Sequence, residues 1–559
     1  MRPFLSIATS LSLLMSLTMD TAMAAPVPAP PAPTTPIQHV VVIFGENISF
    51  DHYFGTYPFA QNPPGQPRFI AKAGTPSVNG TPGTSNYVNG FTSSLLSLNP
   101  NSTNSANGAG AANPFRLNRN QALTADQSHS YTPEQNSFDH GAMDLFPKDT
   151  GKAGGTPILY PPVTSTTGMV MGYFDGNTVT ALWNYAQNFA MSDNSYISNF
   201  GPSTPGAVNL IAGQTNGIIQ ETALNAPNAS DEVADGQGGW TLIGDAEPLG
   251  DVCSSTSSFN TALSGPNIGD MLNNAGLTWG WFQGGFDLTV INPNGTTGCG
   301  RSTVSPITGL TEGDYVEHHE PFQYYASTAN LAHTRPTSPA TVGTAADPAK
   351  HQYDMHDFLD ALAVGNLPAV TFLKAQSYQD GHPGNSNPLD EQAFVANVIN
   401  TLAQSPFWAS TAVIINYDDS DGWYDHQAGT IVNGSFSTAD TLTGTNACGI
   451  QGTTPVLPGP NSGGLPVNGR CSPGVRSPLL VISPWAQSNF VDHTFTTQTS
   501  IMRFIEDNWS LGRIGGGSYD AIANPINNMF NFTPSTPPNP TTPLLSPITG
   551  LVTGTATLP

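Results

Sequence analysis

Four oxygen-bearing side chains stand where two apolar runs end. Glu46 and Asn47 follow closely on the run HVVVIF at 39–44, and Asp418 and Asp419 follow TAVIIN at 411–416. Carboxylates and an amide are hard oxygen donors, the set that suits a hard divalent cation. Like charges this close do not stay ionised without a compensating positive charge. The plainer alternative is that these residues cap helices or decorate loops. A hydroxyl is offered by Ser203, within Phe200-Gly201-Pro202-Ser203-Thr204-Pro205-Gly206. The stretch 206–212 reads as the start of a helix, with Pro205 near its first turn. The hydroxyl then lies at a helix N-terminus, where free N–H groups and the partial positive charge suit a phosphate anion. The alternative is an N-cap serine. Six histidines sit in polar, loop-like contexts: His129, His140, the tandem pair His318 and His319, His382, and His426. Imidazoles placed so can offset charge on phosphoryl oxygens or protonate a leaving group. Each one alone is as well explained by packing or exposure.

The elements that would position these groups are legible. The runs 39–44, 367–373, 411–416 and 478–482 are continuous, apolar and rich in β-branched residues, as in buried parallel strands. Helical spacing of apolar residues marks 353–364, with Gly365 suited to its C-terminal cap, and marks 388–404 and 500–509. Strand, helix, strand from Leu367 to Asn416 is a βαβ unit, which implies a parallel pair covered by helices. In such sheets ligands bind beyond the carboxyl ends of the strands. Glu46, Asn47, Asp418 and Asp419 would then share one sheet edge.

Composition bounds the rest. A chain of 559 residues with 38% hydrophobic content can bury a substantial core, yet only 10% of it is charged, against roughly 25% in an average domain. Its 57 glycines and 50 prolines predict long ordered loops with disordered ends. The net charge of -24 lacks the positive footprint that a nucleic-acid binder needs. Residues 1–24 read as a signal peptide: Arg2, an apolar stretch from Phe4 to Met19, and small residues at Ala22-Met23-Ala24 before the cleavage point. The apolar run is too short and interrupted to span a bilayer. A Pro-rich linker follows at 25–36, and 533–559 reads as a frayed Thr/Pro-rich tail. Between them, 37–532 reads as one continuous domain. Four cysteines in an exported chain suggest two disulfides. Three pairings are possible; Cys253–Cys299 and Cys448–Cys471 are favoured because each closes a local loop.

The segments HVVVIFGENISFDHYFGTYP (39–58), NFGPSTPG (199–206), YVEHHEPFQYY (315–325), DGHPGNSNP (380–388) and INYDDSDGWYDH (415–426) resemble the bacterial phosphoesterase family that includes phospholipases C and the respiratory-burst-inhibiting acid phosphatases. The resemblance spans about residues 37–510, nearly the whole mature chain. It implies an α/β fold with an alkaline-phosphatase-like core, a mostly parallel central sheet flanked by helices, and long loop insertions. It also implies a hydroxyl nucleophile beside a divalent metal ion of unspecified identity. By that resemblance Glu46 and Asn47 match the first metal-ligand pair, Asp418 and Asp419 the second, and Ser203 the nucleophile at the metal. His129, His318, His319 and His382 match active-site histidines. His140 and His426 recur in the family's motifs without an assigned role.

The implied chemistry is hydrolysis of phosphate esters through a phosphoserine. The phospholipase branch carries His-Gly-Gly after its acidic pair. The run Asp418-Asp419-Ser420-Asp421-Gly422-Trp423 is similar instead to the acid-phosphatase branch, and so is His318-His319-Glu320-Pro321-Phe322-Gln323. A choline-directed phospholipase C is the rival, and Tyr173, Trp240, Trp279, Trp281 and Tyr324 are candidates for its aromatic cage. If it is a phospholipase, transient lipid contact is expected. A serine esterase would need a Gly-x-Ser-x-Gly elbow that the chain lacks around Ser203. A non-catalytic secreted binding protein would make use of the Asn/Gly-rich stretch 99–113 as an exposed loop.

Overall fold

The computed structural model describes residues 29–80, 95–154, 165–219, 230–442, 448 and 454–558. The stretch that reads as a signal peptide lies outside the described residues. Eight strands form the central sheet: His39–Gly45 (β1), Ala190–Ser192 (β2), Trp279–Gln283 (β3), Gln352–Asp354 (β4), Val370–Lys374 (β5), Thr411–Tyr417 (β6), Leu479–Ile482 (β7) and Phe490–Asp492 (β8). Their spatial order is β4-β3-β5-β1-β6-β7-β2-β8. β1 lies at the centre, parallel to β5 on one side and to β6 on the other. Every residue of β6, and all of β1 but His39, is buried, which is why these strands read as unbroken apolar runs. The unit from β5 to β6 is parallel as expected, but β1 is inserted between its two strands. β7 departs from expectation: it runs antiparallel to both neighbours. Burial on both faces writes the apolar run whichever way the strand points, so the sequence carries no sign of the reversal.

Four helices matter for the site. Ser203–Ala212 (α1) is buried at every residue. Met355–Ala363 (α2) starts later than its periodicity suggests, because Gln352–Asp354 pairs as β4 and Asp354 then caps the helix in a reciprocal box with Asp357. Pro388–Ala403 (α3) is capped by the Asn387 side chain, which accepts from the N–H groups of Leu389 and Asp390. Thr499–Asn508 (α4) closes the domain, and Thr34 and Thr35 at the end of the Pro-rich stretch are bonded to Asn508.

The tail is not frayed. Thr541–Leu545 (β9) and Val552–Thr557 (β10) form an antiparallel hairpin. The Asn400 side chain on α3 clamps it, donating to the Leu545 carbonyl (2.8 Å) and accepting from the Leu545 N–H (3.0 Å). Composition suggests disorder here, but threonine favours strands and the amide clamp fixes the register. The stretch 99–113 is exposed only in part: it turns through short helices, Asn99, Asn101, Asn107 and Gly110 are buried, and the Asn99 amide donates to the Tyr424 hydroxyl. Both expected disulfides are formed, Cys253–Cys299 and Cys448–Cys471.

Candidate active site

The carboxyl ends of β5, β1 and β6 carry the site. Backbone bonds extend the ladder past the strands: the Glu46 N–H donates to the Asp380 carbonyl (2.9 Å), Asp418 to Gly45 (3.2 Å) and Ile48 to Asp419 (2.9 Å). Register therefore fixes Glu46 beside Asp418. Helix α1 abuts the same edge. A Cβ on Gly206 would lie 2.0 Å from the Asp418 carbonyl oxygen, so only glycine lets the helix start come this close.

Ser203 is the first residue of α1, with Pro202 as its N-cap, so its hydroxyl does not cap the helix. Instead it donates towards two carboxylates, with Oγ 3.1 Å from Glu46 Oε2 and 3.1 Å from Asp419 Oδ2. Asp418 is held by the N–H groups of Asn47 (3.0 Å) and Asp419 (2.8 Å). Asn47 adopts positive φ, a conformation asparagine tolerates, and its Oδ1 is buried without a hydrogen-bond partner. Glu46, Asn47, Ser203, Asp418 and Asp419 are all buried. The five residues that the sequence groups are thus brought together.

The electrostatics call for a cation. Burial first, then the neighbouring Asp418, pushes Glu46 well above the usual carboxylate range. Burial raises Asp419 as well, and Asp418 adds to it against the opposing pull of His129. Only Asp418 is held low: burial would raise it, but the Lys374 ammonium and the hydrogen bonds from Glu46, Asn47 and Asp419 outweigh that. Three buried carboxylates, a hydroxyl and an unpartnered amide oxygen fit a hard divalent ion. Such an ion, when bound, supplies charge that stabilises an ionised Ser203 oxygen and a phosphoryl oxygen.

The histidines divide. His129 leans on this centre, with Nε2 3.5 Å from Asn47 Nδ2. Its Nδ1 faces the Gln127 carbonyl (3.0 Å) and Asp421 Oδ1 (3.2 Å). Burial would lower His129, but Asp419 and Asp421 raise it well above the ordinary value. His382 packs edge-on to His129 at 5.9 Å and bonds the Pro383 carbonyl through Nδ1 (2.7 Å). Burial, then His129, lowers it to about 4. His319 Nδ1 lies 3.1 Å from Glu46 Oε1, and burial followed by Lys374 holds it well below its usual value. The half-buried His318 stands perpendicular to His319 at 4.6 Å. His140 is a surface side chain beside Asp139, its side chain 55% exposed. His426 belongs to a separate buried ion network, with Nδ1 2.7 Å from Asp51, which Arg476 joins to Asp425.

Three groups are not singled out by sequence reasoning. Lys374 ends β5 and is fully buried against Glu46 and Asp418; the rule that points to Glu46 applies to it equally, but the apolar run stops one residue short, at Leu373. Asp421, two residues past Asp419, orients His129. Glu134 bridges loops, accepting from the Gly201 N–H (2.9 Å) and the Ser420 hydroxyl (2.5 Å); nothing in its neighbourhood signals this. The aromatic cage is not assembled: Trp279 and Trp281 are core residues of β3 stacked on His351 and Phe372, Tyr324 donates to the Ala246 carbonyl, and Trp240 sits in a separate two-stranded ribbon.

The sequence profile of the Phosphoesterase family matches residues 37–512. Phospholipase C B of Mycobacterium tuberculosis is 24% identical over 533 residues, covering 92% of this chain and 81% of the relative. The non-hemolytic phospholipase C of Pseudomonas aeruginosa is 22% identical over 528 residues, covering 94% of this chain and 61% of the relative. Among solved structures, a protein in the alkaline phosphatase superfamily from Vibrio parahaemolyticus is 12% identical with a TM-score of 0.26, covering 62% of this chain and 65% of that one.

Proposed function

The chain belongs to the Phosphoesterase family and is a hydrolase of phosphoric ester bonds, and from that premise we propose that it is an exported acid phosphatase, a monoesterase that works through a phosphoserine at Ser203. The observation that carries this reading is the Ser203 hydroxyl, poised 3.1 Å from two buried carboxylates at the N-terminus of a buried helix. Glu46, Asn47, Ser203, Asp418 and Asp419 would hold the divalent ion. Ser203 attacks phosphorus in line; the ester oxygen leaves with a proton and phosphate is left on Ser203. The α1 N-terminus and His129, raised by its acidic neighbours, face the developing negative charge. His318, His319 and His382 surround the remaining oxygens, and one imidazole of the four protonates the leaving alcohol. Water then hydrolyses the phosphoserine. The fixed charges of Lys374 and His129 suit a dianionic monoester better than a singly charged diester. Export rests on the signal-like N-terminus and the two disulfides; among the described residues no helix is long and apolar enough to cross a membrane.

A second reading, a phospholipase C-type diesterase acting on phospholipid head groups, is favoured by the names of the relatives. The purified protein and Ser203→Ala are to be assayed on p-nitrophenyl phosphate and p-nitrophenyl phosphorylcholine from acid to neutral pH. Preferential monoester hydrolysis, lost in the variant with the fold intact, is the expected outcome. Preference for the choline diester selects the second reading, and near-normal turnover by Ser203→Ala overturns the nucleophile.

A further inference from the structure

Lys374 is the one fully buried lysine side chain among the described ion pairs, and it lies inside a nest of would-be metal ligands. Parallel pairing of β5 with β1 sets Leu373 level with Ile43, so the next residue is carried to the edge from which Glu46 projects. The ammonium touches Glu46 Oε1 and lies 3.5 Å from Asp418 Oδ2. Its remaining side is closed by the Phe44 ring, 5.0 Å away.

Glu46 is used at both ends. Oε2 faces Ser203, whereas Oε1 faces Lys374 and His319 Nδ1. Ligand atoms of Glu46, His319 and Asp380 lie within 4.8 Å of one another, and Asp380 Oδ2 is buried with no hydrogen-bond partner. Two carboxylates, a bridging carboxylate and an imidazole are what a second divalent ion takes in two-metal hydrolytic sites, whose ions lie roughly 3.5–4 Å apart. Arg476 too is a buried cation that meets two carboxylates, Asp51 and Asp425. Lys374 differs in that one of its two, Glu46, also reaches the nucleophile.

We propose that the Lys374 ammonium stands in the second cation position of a two-cation centre bridged by Glu46, so that the protein takes one divalent ion and carries a latent second site built from Glu46, Asp380, Asp418 and His319. This rests on the reading that the Ser203 side of the centre holds a divalent ion. Its consequence is that one of the centre's two cations is covalently attached and independent of the metal supply. An ammonium gives charge and hydrogen bonds but not the Lewis acidity of a second ion.

The test is metal stoichiometry. The chelator-stripped full chain, Lys374→Gln, Lys374→Arg and the double variant Lys374→Gln/Asp380→Asn are titrated with Mn2+ by calorimetry, and bound manganese is counted after desalting. One equivalent is expected for the unaltered protein and for Lys374→Arg, two for Lys374→Gln, and one again for the double variant. The two ions in Lys374→Gln share a carboxylate, so its electron paramagnetic resonance spectrum is to show an exchange-coupled pair. Two equivalents in the unaltered protein, or one in Lys374→Gln, overturns this inference and leaves the proposed function standing. No manganese in the unaltered protein overturns the metal reading, and this inference with it. If Lys374→Gln is unfolded when stripped, rising Mn2+ is expected to restore its thermal transition, with a steeper dependence than in the unaltered protein. Failure to recover at any Mn2+ concentration counts against the latent site.

Discussion

The two halves of the site are built differently. The oxygen-rich half, Glu46, Asn47, Asp418 and Asp419, sits on the ends of β1 and β6 and is fixed by backbone pairing that continues past the strands. The imidazole half, His129, His318, His319 and His382, sits on loops and short turns, and its orientation depends on individual polar contacts such as His129 to Asp421 and His382 to the Pro383 carbonyl. Sheet register tolerates almost no displacement of the first half. The second can re-aim by rotating a side chain. In the proposed function metal holding falls to the rigid half and contact with a changing phosphoryl group to the adaptable one.

Breaking the rigid half has the largest expected effect. Asp419→Asn replaces one of the two carboxylate acceptors of the Ser203 hydroxyl and, in the proposed site, a ligand carboxylate together. Loss of bound metal is expected, with kcat lowered by about 10³-fold or more. Full metal occupancy in this variant would show the ligand set to be wrong.

Disturbing the adaptable half costs less and spares the metal. His129→Ala is expected to lower kcat by roughly 10²-fold, the low end for a proton-transfer group, at unchanged metal content. Asp421→Asn leaves the imidazole in place but removes the nearer of the two carboxylates at its Nδ1, Asp126 at 3.5 Å being the other, and a loss of about 10–100-fold is expected, as for other residues that orient a ligand or base. If Asp421→Asn instead releases the metal, the two halves are one unit and the division fails.

This division also tracks what is legible in the sequence. Apolar runs ending in acids are a local signal, and the tendency of ligands to gather beyond strand ends makes a site of them. The parallel run of β5, β1 and β6, though not the place of β1 between the other two, the α1 start near Ser203 and both disulfides follow from similarly local cues. The histidines carry only a weak local cue, a bias toward strand ends that His382 shows after β5, and otherwise group by resemblance, because nothing in the surroundings of residues 129 and 318 states that they converge. The reversed β7 leaves no trace, since burial and not direction shapes composition. Glu134 is invisible because its partners, Gly201 and Ser420, are 67 and 286 residues away. The hairpin at 541–557 escapes notice because the Asn400 clamp that orders it is equally remote.

The smallest effect concerns the support beneath the rigid half. Glu391, on α3, is fully buried and accepts hydrogen bonds from the Tyr417 hydroxyl (2.5 Å) at the end of β6 and from the Tyr53 hydroxyl (2.8 Å). Burial raises it to about 7, with the two tyrosines pulling the other way. The folded state therefore holds this proton more tightly than the unfolded chain does. The contribution to stability is complete below the ordinary glutamate range and is lost as pH rises through about 7. A shift of this size corresponds to at most about 3 kcal/mol. Glu134 is also raised to about 7 and titrates in the same window, so the readout is the difference between two proteins. Denaturant unfolding of the unaltered chain and of Glu391→Gln from pH 4 to 8 is expected to show the variant losing less stability across that range. Parallel profiles would mean that the carboxyl titrates alike in the fold and in the unfolded chain, the tyrosine hydrogen bonds offsetting its burial under the sheet edge.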